Sequence, residues 1–362
     1  MSAVKKIGIL TSGGDAQGMN AAVRAVVRHA INKGIEVYGV YEGYQGLMDG
    51  GDKVVKFTSA SVANILSKAG TMLYSARCVG FKQEEAMQKA IKTCRELGID
   101  GLICVGGDGT FRGASDLCVR GLPCVGIPAT IDRDITCTDN TIGFSTAVKI
   151  TSDLIDYLRD TDESHARCNV IEAMGRNAGY IALYAGISAG ATAIVLKEDL
   201  GYDEKEIIER IKTCRARGKR NIMVIVSEGV DGYSEKLAKT IQAETGIETK
   251  FCRPAHMVRG GSPVPADRML ATKMGIAAVD YLLDGKQDIF VCERNGVITC
   301  VDIKKAITID KLYKSGFTPD LTAPDLSSFS AEEQKEMKEF VEMRNKEIKD
   351  LLAVSETVAI YG

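Results

Sequence analysis

Short apolar runs alternate with longer segments of helical period along most of this chain. Runs at 6–10, 35–41, 101–105, 123–127, 169–173, 193–196 and 222–226 predict buried strands. Segments at 19–32, 83–96, 110–119, 141–159, 178–188, 204–215 and 235–244 predict helices, the second of them with Lys and Glu on its outer face. Regular alternation of this kind is the signature of parallel sheets covered by helices on both faces. A doubly wound, Rossmann-like α/β sheet binds its ligands at the carboxyl ends of the strands. An apolar-periodic helix at 270–283 follows, then strands at 289–292 and 297–300. The end of the chain changes character. Residues 318–330 carry Pro, Ser and Asp and predict a loop, and 331–352 predict a Lys/Glu-rich helix. Such a helix could be a lid or an interface element, but its charge favours a solvated surface helix.

The 362 residues suffice for two α/β lobes, the first over about 1–137 and the second from about 138. A hydrophobic content of 45% supports a sizeable core. The net charge of −2 offers no global basic field for nucleic acid, so an anionic ligand has to be held by local Arg and Lys clusters. Eleven cysteines include no CxxC pair, and Cys104, Cys124 and Cys292 sit in apolar runs. That pattern predicts reduced thiols in a cytoplasmic protein, not a disulfide frame or a zinc site. Only three histidines occur, which excludes a histidine-rich metal centre. No stretch approaches the ~20 apolar residues of a membrane span, and the first residues lack the apolar core of a leader.

The candidate chemistry lies at strand ends. After the run 123–127 comes Pro-Ala-Thr-Ile-Asp-Arg-Asp at 128–134. If the backbone stays extended, Thr130, Asp132 and Asp134 point the same way. A hydroxyl and two acids on one edge suit a base that takes a proton from an alcohol beside a carboxylate that holds Mg²⁺. A plain polar turn fits the same residues. Two glycine loops join strands to helices: Thr11-Ser-Gly-Gly-Asp-Ala-Gln-Gly18 and Val105-Gly-Gly-Asp-Gly-Thr110. Glycines let backbone approach a phosphate, and a helix N-terminus supplies free N–H groups. The first loop alone is a weak signal, and Asp15 could be only a helix cap. In the second, an acid lies between glycines, which is repulsive to phosphate unless Mg²⁺ intervenes. Neither loop is a Walker A or a GxGxxG motif.

Taken in order, TSGGDAQGMNAA, SAR at 75–77, GGDGT, TIDRD, TDNTIGF, SHAR, MGR and RGGSPVPADR strongly resemble the ATP-dependent 6-phosphofructokinases of bacterial type, the phosphofructokinase A family. The resemblance runs from about residue 5 to about 303. It implies a phosphofructokinase fold of two lobes: about 1–137 plus 256–306 for nucleotide, and about 138–255 plus 307–322 for sugar phosphate, with 323–362 as a helical tail. It implies a cytoplasmic homotetramer, a dimer of dimers, taking a sugar phosphate and ATP with Mg²⁺. Asp132 resembles the general base for the sugar 1-hydroxyl, with Thr130 and Asp134 beside it. Arg176 resembles the cation that steadies the transferring phosphoryl group. Asp108 resembles the Mg²⁺ ligand. Gly13, Arg77, Cys78, Gly107, Gly109 and Thr110 resemble nucleotide contacts. Met174, Gly175 and Glu228 resemble contacts to the sugar. Arg167, Lys250, His256 and Arg259 resemble the 6-phosphate clamp, Arg167 reaching in from a neighbouring subunit. Arg24, Arg28, Arg159, Arg217 and Lys219 resemble an effector site for a phosphorylated small molecule. Read singly, Arg176 and Arg259 could be structural ion pairs, His256 a core histidine and the effector cations a solvated basic face.

Gly109 and Ala129 favour ATP over pyrophosphate, because pyrophosphate-dependent members typically carry an acid and a lysine there. Some residues depart from the family. Arg133 stands where Asn is usual between the two acids, and a cation there lowers the pKa of Asp132 unless its side chain turns away. Gln17 replaces a Pro. Lys250 replaces an Arg and loses its bidentate fork, for which Arg253 could compensate. Thr192 replaces a glutamate associated with effector ADP, so an anion site is expected without ADP activation. Arg133 and Lys250 leave two alternatives open: a kinase of another sugar phosphate, such as sedoheptulose 7-phosphate or tagatose 6-phosphate, or a weakly catalytic regulatory paralogue.

Overall fold

A computed structural model of the chain describes residues 4–76, 78–199 and 201–359. They form two compact units. One comprises Met1–Ile131, Cys137–Thr146 and Arg259–Thr308; the other comprises Asp132–Thr136, Ala147–Val258 and Ile309–Gly362. In chain order the first unit opens with β1 (Lys6–Thr11), α1 (Met19–Asn32), β2 (Glu36–Val40), α2 (Gly43–Asp49), β3 (Val54–Phe57), α3 (Glu84–Leu97), β4 (Gly101–Gly106), α4 (Asp108–Val119) and β5 (Cys124–Pro128). After α5 (Phe144–His165) come β6 (Cys168–Ala173), α6 (Tyr180–Ser188), β7 (Ala193–Val195), α7 (Glu204–Ala216), β8 (Ile222–Ser227), α8 (Tyr233–Thr245) and β9 (Thr249–Cys252). Then follow α9 (Pro265–Leu283), β10 (Ile289–Arg294), β11 (Val297–Asp302), α10 (Ile303–Ser315) and α11 (Ala331–Ala359).

In the first unit a seven-stranded sheet runs β11-β10-β5-β4-β1-β2-β3. Its inner pairs are parallel, and the outer pairs β10/β11 and β2/β3 are antiparallel. Every residue of β4 is buried, as a near-continuous apolar strand covered on both faces requires. Phe111 of α4 stacks on Phe290 of β10 with ring centroids 5.0 Å apart. Fully burying such a ring contributes about 1.5–3 kcal/mol. The second unit has a four-stranded parallel sheet, β7-β8-β6-β9. Its core includes Val170, Val195, Ile211, Val224 and Leu237.

Two expectations need correction. The segment after β5 does not stay extended: the strand ends at Pro128, and Arg133 has φ 53°, in the left-handed region. Thr130, Asp132 and Asp134 therefore do not line one edge by simple alternation. Nor is the last helix merely a solvated surface element. Met337, Arg344, Ile348 and Ser355 of α11 are buried, at spacings that fall on one helical face, and the helix packs on α6 and β7.

Candidate active site

In the first unit, three loops leave the carboxyl ends of neighbouring parallel strands. Thr11 of β1 lies beside Val105 of β4, and Gly106 lies beside Pro128 of β5. The backbone continues this pairing beyond the strands: Ser12 N donates to Val105 O at 3.0 Å, and Ala129 N donates to Gly106 O at 2.9 Å. Thr110 Oγ1 donates to Ser12 O at 3.1 Å, which locks the two glycine loops together. Gly106 is required at this crossing. A Cβ there would come within 2.3 Å of Thr110 Oγ1 and 2.4 Å of Ser12 O. Thr130 belongs to this unit, and its carbonyl accepts from Thr141 Oγ1 at 2.6 Å.

Asp108 is the first residue of α4, where a carboxylate is favoured by the helix dipole. It is partly exposed and accepts from Arg112 Nε at 3.0 Å. Gly109 has nothing within 4 Å of a Cβ built upon it, so the space beside it is open. Gly13, at φ 83°, has its carbonyl held by Ser75 Oγ at 2.5 Å. Cys78 Sγ lies 3.6 Å from Gln45 Oε1, and burial pushes the thiol up. Gly107 caps α4. Arg77 lies outside the described residues. Arg259 also joins this unit: its Nη1 donates to Asp15 O at 2.9 Å, so it ties α9's approach to the first glycine loop.

In the second unit, β6, β8 and β9 are parallel, so Met174, Gly175, Arg176, Glu228 and His256 all follow carboxyl ends. One Oε of Glu228 accepts from Gly175 N at 3.0 Å and from Arg176 N at 2.5 Å. Gly175, at φ 152°, has Ala178 O only 2.2 Å from where a Cβ would stand. The turn leaves Arg176 exposed. His256 is exposed, which rules out a core histidine. Arg167 and Lys250 lie at the amino ends of β6 and β9, on the order of 15 Å along the strands from the residues just named. Both pair with Glu248 at 2.8 Å. These hydrogen bonds, Arg167's first, hold the Glu248 carboxyl down at about 2. Arg253, the candidate substitute for the lost guanidinium, instead grips Glu172 with Nε at 2.6 Å from Oε1.

The segment Asp132–Thr136 also belongs to the second unit. Asp132 is buried. The guanidinium of Arg133 is buried as well, donating to Glu347 Oε1 at 2.8 Å and to Tyr184 Oη at 3.0 Å. It lies 4.8 and 5.3 Å from the ring centroids of Tyr180 and Tyr184. A left-handed conformation costs a non-glycine residue roughly 1–2 kcal/mol. Hydrogen bonds to charged groups contribute about 1.5–3 kcal/mol each, enough to offset it. Lys314 Nζ donates to Asp134 O at 3.1 Å and lies 3.4 Å from its carboxylate. Thr136 N donates to Asp310 Oδ1 at 2.5 Å, and Arg344 Nε donates to Thr136 O at 3.1 Å.

Residues 6–282 match the phosphofructokinase family. The chain belongs to that family. It is 49% identical over 304 residues to the ATP-dependent 6-phosphofructokinase of Brevibacillus brevis, covering 84% of this chain and 94% of that one. It is 52% identical over 283 residues to the enzyme of the same name from Bacillus subtilis, covering 78% and 88%. Phosphofructokinase from Saccharomyces cerevisiae superposes with a TM-score of 0.87 at 32% identity, over 98% of this chain and 50% of the yeast chain. A pyrophosphate-dependent phosphofructokinase from Marinobacter aquaeolei, 19% identical, shares the fold at a TM-score of 0.73 over 94% of this chain and 91% of that one.

Against the family motifs, the cations expected at an effector site divide between the units. Arg24 and Arg28 lie on α1 in the first; Arg159, Arg217 and Lys219 lie in the second. Nε and Nη2 of Arg159 are buried without a hydrogen-bond partner among the described residues. Burial, and then the charge of Arg159, lower the pKa of Lys219. Thr192 is fully buried. Several residues that shape the site lie outside every motif read from the sequence: Tyr44, whose Oη donates to Thr110 O at 2.5 Å, and Asp310, Lys314, Arg344 and Glu347. Asp267 lay in the quoted RGGSPVPADR string, and its role is structural. It accepts from the backbone of Gly143 and Thr146 at 2.9 and 2.8 Å and so caps the start of α5.

Proposed function

We propose that this chain is an ATP:D-fructose-6-phosphate 1-phosphotransferase, forming fructose 1,6-bisphosphate and ADP in glycolysis. The observation that carries this reading is the match of about half the residues, over most of both chains, to enzymes named ATP-dependent 6-phosphofructokinase. The loops described above support the assignment of roles. Asp132 takes the proton of the sugar 1-hydroxyl as that oxygen attacks the γ-phosphorus. The new O–P bond forms as the bond to the bridging β–γ oxygen breaks, and ADP leaves. Arg176, exposed on its turn, steadies charge on the transferring group. Gly13, Gly107 and Thr110 take the nucleotide phosphates, Cys78 and Arg77 are assigned as further nucleotide contacts, and the open space at Gly109 suits ATP.

Asp108 is the residue that would hold Mg²⁺. The described residues contain no cluster of three or more metal-ligating side chains. A single carboxylate at a helix start, partly exposed, fits an ion that is bound through one or two carboxylates and the substrate's own phosphates. Mg²⁺, when bound, supplies charge neutralisation between Asp108 and the triphosphate.

The sugar is held by Met174, Gly175 and Glu228, with His256 and Arg259 toward the 6-phosphate. Arg167 and Lys250 complete the clamp for a neighbouring subunit, a reading supported by their place at the opposite strand ends from His256. That arrangement calls for a homo-oligomer, which we take to be a tetramer. Arg159, Lys219, Arg217, Arg24 and Arg28 contribute to an anion site for a phosphorylated effector that lies between subunits. No helix of the described residues is long and apolar enough to cross a membrane, and we assign the protein to the cytoplasm.

A coupled assay with ATP, Mg²⁺ and a panel of sugar phosphates tests the proposal. Fructose 6-phosphate is expected to give the highest kcat/KM. No turnover with it, or a higher kcat/KM for sedoheptulose 7-phosphate or tagatose 6-phosphate, would reject it.

A further inference from the structure

The segment Asp132–Thr136 carries the proposed base, yet its backbone is not one its own sequence favours. Arg133 occupies the left-handed region at φ 53°, where Asn or Gly would settle unaided. Something else has to hold it, and the structure contains a candidate for three of the four residues that follow Asp132 in the segment, Arg133, Asp134 and Thr136. Arg133 is bound by Glu347 at 2.8 Å, Asp134 by Lys314, and the two backbone groups of Thr136 by Asp310 and Arg344. Glu347 is the hub. One of its oxygens takes Arg133 and the hydroxyl of Tyr184, and the other takes Nη1 of Arg344 at 2.7 Å. It therefore links the left-handed residue to the cation that holds the carbonyl of Thr136. All four anchors come from α10 and α11, beyond the 6–282 span that matches the family.

We propose that Glu347 is a positioning residue for the reaction: through Arg133 and Arg344, the last helix fixes the segment that presents Asp132. The inference rests on the assignment of Asp132 as base. It makes α11 part of the catalytic apparatus without touching substrate. The charge on Arg133 is then not a defect of the site. It is the handle by which the helix grips the segment, and Glu347 neutralises it in place.

Full-length Glu347→Gln, Arg133→Asn/Glu347→Gln and Asp132→Asn are compared with the wild type for kcat, for KM of both substrates and for melting temperature. Misplacement of a reacting group by about 1 Å can cost on the order of a hundredfold, so Glu347→Gln is expected to lose at least ~10-fold in kcat. Its KM for ATP stays within about twofold, because the glycine loops belong to the other unit. In the double variant Asn adopts the left-handed turn by itself and the buried charge of Arg133 is gone, so kcat recovers part of the loss even though Arg344 has still lost its ion pair with Glu347. A purely structural Glu347 would lower the melting temperature and leave kcat per folded molecule unchanged. Wild-type kcat in Glu347→Gln, or a loss the double variant does not relieve, overturns the proposal. Should Glu347→Gln fail to fold, Glu347→Asp, which withdraws the same charge by one methylene, is expected to lose several-fold in kcat, and an unchanged kcat there overturns it equally. Asp132→Asn separates the two readings. If it turns over like wild type the base assignment has failed; if it is inactive while Glu347→Gln is unaffected, only the positioning role has.

Discussion

The glycine loops of the first unit and the segment Asp132–Thr136 of the second solve the same problem by different means. The loops hold one another through backbone pairing, the hydroxyl of Thr110 and glycines with no room for a side chain, as at Gly106 beneath Thr110. Strand order alone makes them neighbours. The segment in the second unit has a left-handed arginine and is held by side chains far along the chain: Arg133 and Glu347 are 214 residues apart, and Asp134 and Lys314 are 180. A loop seated between neighbouring strands of its own sheet is held at several points at once. A loop held by a distant helix can be undone from that helix.

Glu347→Ala should produce the largest stability effect, since it removes the carboxylate that pairs with two buried cations, Arg133 and Arg344. Breaking a buried pair from one side costs about 3–5 kcal/mol, to be read from the urea midpoint. Although burial pushes the Glu347 carboxyl up, the two guanidinium charges outweigh it and hold the group below the usual carboxylate range. Its contribution is therefore present above the ordinary carboxylate pKa and is lost as pH falls through the lower folded-state value. Gly106→Ala should come next. The added methyl overpacks the crossing of the two loops, which costs about 1–3 kcal/mol, and it should raise KM for ATP more than KM for the sugar.

A smaller effect comes from Asp310, whose carboxyl is pushed up to about 7, mainly by burial. The folded chain then binds more protons than the unfolded one between roughly pH 4 and 7, so this residue lowers stability as pH rises through that window. Asp310→Asn keeps an acceptor for Thr136 N and should flatten that part of the stability–pH curve. A curve that is unchanged would show that Asp310 is not the group responsible. Least of all should change in Lys335→Ala. Its ion pair with Glu339 is exposed on the same helix as Glu347, and such surface pairs contribute little. A marked drop in the urea midpoint would mean that the helix's outer face also carries the load.

Much of the fold was legible because long periodic segments such as 19–32 and 204–215 have one period and few competing signals. Short edge elements escaped: β3 and β9 have four residues each. So did α10, whose Ile-rich start reads as neither helix nor strand until its buried face, Ile303, Ala306, Ile309, Asp310 and Tyr313, is seen. The start of α5 was placed three residues early, because its cap is supplied by Asp267 from another part of the chain. The glycine loops were readable from their composition. The anchoring of residues 133–136 was not, because a charged residue in a Lys/Glu-rich helix looks solvated until its partner is known. Periodicity within α11 held the clue: Met337, Arg344 and Ile348 share a face, and an arginine on an apolar stripe needs an acid nearby.

The account stands most directly on Asp132. Turnover of fructose 6-phosphate and ATP by Asp132→Asn should be measured beside the wild type under saturating substrates. Loss of a general base predicts a fall in kcat of about 10²–10⁴-fold, with both KM values little changed. Turnover at the wild-type rate would contradict it.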